Sequence, residues 1–319
     1  MASSGTYARA ESNSGHYLAG GATLKDGASV DDWAIAAGLD WEAISRPVNF
    51  TAEDGGEMLT MAKQNVLMRS DTNAPLGIVS DRYKPVQPRE LLDFFEKVTE
   101  HVGDFKIDAA GSLSGGKRVW AIAHSTHEPS AFAKGERIQR NLLMASSFDF
   151  SMPTIVRQTS LRLACTNQLA SQLGRQDGAL RISHISHFDF DTVKEKMALD
   201  ENWEGFMAKI DLMASKQISE RRARELFLDV LYPAVEDEKE ITARQHKRVD
   251  ELVGIMHNAP GQETKAAKGT VWGALNAVTW HADHNMRGKD PERAFDRASF
   301  GEGHSMKMKA AKLALAFAE

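Results

Sequence analysis

Apolar and polar residues along this chain change period in a definite order, from short alternating stretches to long helical ones. Asp31 and Asp32 precede Trp33 in a short helix-like segment ending near Gly38, and Leu39 to Ala43 lead into extended chain. Met61 to Met68 and Leu76 to Val79 read as two strands joined by a turn over Ser70 to Pro75. Pro88 then opens a helix to about Val102, with Leu91, Leu92, Phe94, Phe95 and Val98 on its apolar face. Phe105 to Leu113 and Lys117 to Ser125 flank Ser114-Gly115-Gly116, whose glycines supply the positive φ angles a tight hairpin needs. Arg137 to Phe150 and Ile155 to Ala164 form a second strand pair, broken at Met152-Pro153. Asn167 to Leu173 reads as a helix stopped by Gly174, and Leu180 to Ile185 as an edge strand.

Beyond Asp189 the period is helical. Helices are expected over Asp191 to Ser215, Ser219 to Leu231, Thr242 to His257, Thr270 to His284 and Gly303 to Ala318. Hairpins followed by helices make an α+β fold, with a central antiparallel sheet, helices packed on one face and a helical C-terminal region. The expected division is a flexible tail over 1–30, a strand-rich core over 31–188, and a helical region over 189–319 packed on that core.

Composition narrows the class. The 319 residues are 42% hydrophobic and 26% charged, ordinary for a globular protein. No apolar run approaches the ~20 residues that cross a bilayer. The Gly-, Ser- and Ala-rich start lacks the basic and apolar blocks of a secretory signal. A single cysteine, Cys165, forbids an internal disulfide and a cysteine-based zinc site within one chain. A reducing cytoplasm is the expected location.

The net charge of -5 is unevenly spread. Phe105 to His184 holds ten Lys or Arg against five acids, an asymmetry that suggests a surface for a polyanion. Arg137, Arg140, Arg157, Arg162, Arg175 and Arg181 are all arginine, whose planar fork grips phosphate bidentately and stacks on bases. Arg118 and Trp120 are two apart on one strand and share a face, so a base could stack on Trp120 while Arg118 held a phosphate. Arg157 and Arg162 alternate to opposite faces. The expected nucleic-acid contacts are therefore Arg118, Trp120, Arg137, Arg140 and Arg162.

Other chemistry is thinner. Gly111 to Lys117 is glycine-rich but lacks phosphate-loop spacing, and a strand follows where a helix should start. His281 and His284, three apart on a helix with Asp283 between, are the weak candidates for a metal, without a third ligand at a diagnostic spacing. Cys165 reads as a small buried hydrophobe rather than a nucleophile. No cofactor is expected.

Five segments recur in a recognisable order. They are Ala37-Gly38-Leu39-Asp40-Trp41; Leu76 to Ser80 with Arg82-Tyr83 and Pro85-Val86-Gln87; Gly111 to Ala121; Arg162 to Leu169; and Gly269 to Thr279 followed by Asp283-His284. The set resembles the phage- and plasmid-encoded proteins grouped as domain of unknown function 932. It departs from them at Phe148-Asp149-Phe150-Ser151, where the family tends to have a His-Asp-Gly type turn. The resemblance implies a mobile-element origin and brings no settled activity. Hairpins followed by a helix also look, at the level of fold, like the core of single-strand annealing recombinases, which form rings on DNA; folds do not fix function.

The leading expectation is a non-enzymatic, single-stranded-DNA-binding protein of the annealing type that forms homo-oligomers. One alternative is a metal-dependent enzyme acting on a nucleotide or small substrate. Another is a host-interaction or counter-defence protein docking through its acidic helices, Asp191 to Glu251.

Overall fold

The computed structural model describes residues 6–11, 21–102, 105–132, 135–164, 167–170, 179–185, 193, 199–233, 241–286 and 290–319. Strands β1 (Tyr7–Ala10) and β2 (Ala22–Leu24) precede helix α1 (Val30–Ala36). Strands β3 (Ala43–Thr51), β4 (Met58–Arg69) and β5 (Pro75–Ser80) make a small antiparallel sheet in that order. Helix α2 (Pro88–Val102) leads into β6 (Phe105–Leu113), β7 (Arg118–Ser125), β8 (Ser130–Ala131), β9 (Arg137–Ser147), β10 (Thr154–Arg162), β11 (Asn167–Ala170) and β12 (Leu180–Ile182).

The larger sheet runs β11-β10-β9-β7-β6-β1-β2, with β12 also on β10 and β8 on β9. All its pairings are antiparallel except β1 with β2. Among the described residues six helices follow: α3 (Leu199–Ser215), α4 (Glu220–Leu231), α5 (Ala243–Asn258), α6 (Val271–Trp280), α7 (Pro291–Ser299) and α8 (Glu302–Ala318), with a π-helical turn over His281–Asn285 after α6.

The α+β class and both central hairpins are as the sequence indicates. Ser114, Gly115 and Gly116 all carry positive φ (53°, 71° and 98°), so the glycine-rich segment closes the β6–β7 hairpin. Period-two alternation sorts the central strands between two cores. Val119, Ala121, Ala123, Leu142, Met144 and Val156 pack with Leu91, Phe94 and Phe95 of α2. Their neighbours Trp120, Ile122, Leu143, Ala145 and Ile155 pack on the other side against Phe295 of α7. Helices thus cover both faces of the sheet rather than one. A third core joins α3 to α6 and α8 with Phe132, Ile138 and Leu169 at the sheet's end, so the helical region shares its interior with the strands.

Three local expectations change. Asn167 to Ala170 is a strand, paired to β10 from Arg162 to Thr159, where a helix was expected. The edge of β10 offers ladder bonds that outweigh the local helical pattern. Within the expected tail, β1 pairs with β6 and β2 with β1, which ties residues 7–10 and 22–24 into the sheet. Helix α7 was not anticipated, although its start is written out: Asp290 caps the amides of Glu292 and Arg293, and Pro291 takes the first turn. Cys165, His187, Arg175 and the pair Asp189 and Asp191 lie outside the described residues. No described helix is long and apolar enough to cross a membrane.

Candidate nucleic-acid interface

The structure does not gather the five expected contacts into one groove. Arg118 donates from Nε to Ser151 Oγ at 2.9 Å and pairs with Asp296 of α7. Trp120 is 0% exposed, its ring 4.4 Å from Phe295, so it is part of the core and unavailable as a stacking surface. The reason is the strand's neighbourhood: Phe295 belongs to the helix that the sequence pattern did not reveal. Arg137 is exposed at the sheet margin and paired with Glu128. Arg140 lies over the rings of Phe105 and Trp203, at 5.5 and 5.9 Å. Arg162 is buried against Glu136, and Arg157 is buried against His304 Nε2 at 2.8 Å and the Ser299 carbonyl at 2.8 Å. These last two arginines serve the interior, which removes Arg162 from a surface role.

The weak metal candidates are also otherwise engaged. Asp283 accepts from Lys307 Nζ at 2.7 Å and from the Gln168 amide at 2.9 Å, and His284 lies against Trp280 with centroids 3.9 Å apart. Burial holds the His281 imidazole below its ordinary pKa, with Glu251 opposing and Arg248 assisting. Among the described residues no three His, Cys, Asp or Glu side chains are gathered as a metal would need. Asn167 donates to Thr279 Oγ1 at 2.8 Å. The segments Arg162 to Leu169 and Gly269 to Asp283 therefore meet as a buried polar seam between sheet and helices.

A different corner has the exposure and chemistry of a binding surface. It forms where the loop after β5, the β9–β10 turn and the residues after β12 converge. Gly77 allows this convergence: a β-carbon there would stand 2.7 Å from the Phe148 carbonyl oxygen and 2.9 Å from Asp149 Cα. Phe148 is buried against Trp41, and the chain then reverses so that Phe150 points outward, 54% exposed and at φ 60°. An aromatic residue rarely accepts the left-handed region, so this display of a large ring is held at a local cost.

Phe150 meets Tyr83 edge-on at 4.9 Å, and Tyr83 stacks on His184 at 4.6 Å. The Tyr83 hydroxyl donates to the Ser147 carbonyl at 2.6 Å. Burial, and then the Asp149 charge, push its phenol well above the usual range, so it stays a proton donor. Burial likewise lowers the His184 pKa, against the pull of its backbone bonds to Met152 and Lys84. Together with Met152, Pro153, Arg181 and Ile185 these rings line a shallow cavity of about 340 Å³.

The surroundings are basic. Arg82 and Lys84 are exposed on either side of Tyr83, and Arg181 is exposed on the cavity wall. The Lys63 carbonyl bonds Asp81, and that of Lys117 bonds Phe148, so two more exposed lysines border the same corner. Among the described residues the acids beside them are Asp81 and Asp149, with Asp296 on Arg118. Arg118 also reaches this corner, through Ser151. Arg82-Tyr83 and Phe148 to Ser151 are separate features of the sequence; their meeting depends on the Gly77 contact, which has no local signature.

A larger cavity, about 640 Å³, lies between α1, α2 and β6 over Trp33, Phe95 and Phe105. There Asp108 stands 3.4 Å from His124 Nδ1, and Lys25 and Lys106 are offset by Asp26 and Glu96. The cation excess belongs to the Phe150 corner.

A family model described as "Domain of unknown function (DUF932)" matches residues 75–306, and the chain belongs to that family. The matched span contains Tyr83, Phe150, Arg181 and His184. No curated protein and no solved structure matches the chain.

Proposed function

We propose that this member of the DUF932 family binds single-stranded DNA without transforming it, as an annealing-type protein of phage or mobile-element replication. The observation that carries the reading is Phe150: a half-exposed ring at φ 60°, backed by Tyr83 and His184 and bordered by basic side chains. Such an arrangement offers a base one aromatic face while cations take the flanking phosphates, which is the chemistry of sequence-tolerant single-strand binding. Duplex DNA keeps its bases stacked inward and presents no face to Phe150, so the corner favours unpaired strands. The contacts move from the expected arginines to Arg82, Lys84, Arg181 and Lys117, with Arg118 at the margin.

Fluorescence anisotropy with a labelled single-stranded oligonucleotide, at low and high salt, tests this. Binding should weaken as salt rises, in proportion to the phosphates neutralised. Absence of binding at low salt by folded protein would refute the proposal.

A further inference from the structure

Among the described residues, the distal half of the β3–β4 hairpin is an arm that extends past the strand β5. Strand β5 pairs with β4 only from Gln64 to Met68, so beyond Gln64 the small sheet has two strands. There the ladder consists of Asn49 with Thr60, Phe50 with Leu59, and Thr51 with Met58. Between this ladder and the base, Met61 to Gln64 bulge opposite Val48, and Lys63 takes φ 60°. Phe50 and Leu59 stand directly opposite each other and therefore share a face, yet they are 44% and 42% exposed. An isolated two-stranded ribbon is marginal in water, and an apolar pair on its open face asks for a cover.

Charge along the arm says what the cover is. The tip carries Glu53, Asp54 and Glu57, and the base carries Arg46 and Lys63, all exposed. Arg46 and Asp54 lie four residues to either side of Phe50, and Lys63 lies four beyond Leu59. A two-fold axis through the Phe50–Leu59 pair therefore places the acidic tip of one arm over the basic base of another, with the apolar pairs face to face. Arg46 stands about 13 Å along β3 from Phe50 at 3.3 Å per residue, and Asp54 stands in the turn beyond Thr51. We infer that the arm is the self-association surface of this protein, two copies packing their Phe50–Leu59 faces antiparallel with Arg46 against Asp54. Pro47 removes a donor from the β3 edge, which disfavours edge-to-edge ladder extension and leaves face packing as the mode. The inference is independent of the DNA-binding proposal, because the arm lies ahead of the Phe150 corner in the chain and contributes only Lys63 to its border.

Sedimentation velocity on the full chain, at low and high salt, reads this directly. The wild type should sediment as two chains, and Phe50→Ser with Leu59→Ser as one. Arg46→Glu should weaken the dimer at least tenfold, and adding Asp54→Lys should restore it, since the swapped pair meets again across the axis. Arg46→Glu changes an exposed side chain and keeps the test open if the double serine variant does not fold. A wild type that is monomeric at its highest soluble concentration would overturn the inference. So would a dimer untouched by these changes, a charge swap that fails to restore it, or serine variants that lose oligonucleotide affinity at unchanged mass.

Discussion

Arg162 and Glu136 face each other at the end of the sheet with side chains only 3% exposed each, Nε donating to the carboxylate at 2.6 Å. The guanidinium also donates to the Gly261 carbonyl at 2.6 Å, while the Thr264 hydroxyl and the Trp272 indole at 3.3 Å donate to Glu136. This pair ties β10 to the loop before α6. Removing one partner strands a buried charge, so Glu136→Gln or Arg162→Met should cost about 3–5 kcal/mol. Urea unfolding measures it. A loss below about 1 kcal/mol would show that the pair is solvated.

The same pair gives an acid limb to stability. Desolvation raises the Glu136 pKa, but hydrogen bonding and charge from Arg162, with Thr264 and Trp272, outweigh it and hold the carboxyl below its ordinary value. The contribution is therefore complete above the unfolded value of about 4.3 and is lost as pH falls through the folded one. Urea midpoints should drop below about pH 4 in the wild type and drop less in Glu136→Gln.

His184 and His281 act in a neighbouring window. Burial lowers both pKa values, so each ring is neutral when folded and gains a proton more readily when unfolded. Their contribution is full above about pH 6.5 and drains as pH falls toward the folded values. His184→Gln should flatten the decline measured just below about pH 6.5. An equal slope in wild type and variant would assign the decline elsewhere.

Phe150 separates stability from binding. Glycine accepts φ 60° freely, so Phe150→Gly should leave the melting temperature unchanged or raise it, with ~1 kcal/mol of strain relieved. Oligonucleotide affinity should fall by about tenfold, the scale of one stacked base. Arg82→Ala or Arg181→Ala should instead reduce the salt slope by about one phosphate contact. Variants that bind like the wild type would remove this corner from the interface.

Gly77→Ala should disturb the same corner from behind, because the new methyl meets the backbone at Phe148 and Asp149 rather than a movable side chain. A loss of about 1–3 kcal/mol is expected, the usual cost of overpacking. Near-UV circular dichroism should report the altered setting of Trp41, Tyr83 and Phe148. Gly273→Ala is a harsher case, its β-carbon falling 2.0 Å from the Ala267 carbonyl oxygen.

By itself the sequence determined the α+β class, the strand pairs around Gly115 and Met152-Pro153, and the helix opened at Pro88, because periodicity and turn chemistry are local. It also carried the family resemblance, through five segments of which the fold joins the last two in the seam of Asn167, Asn276, Thr279 and Asp283. Tertiary structure decided what the arginines do. A charge count cannot distinguish Arg162, neutralised by Glu136, from Arg82, which faces solvent, because partners distant in sequence set burial. It likewise decided that Trp120 lies under Phe295 while Phe150 is presented outward. One aromatic lies within a strand and the other just past one, and what separates their fates is the helix over Trp120 and the turn, seated on Gly77, that carries Phe150.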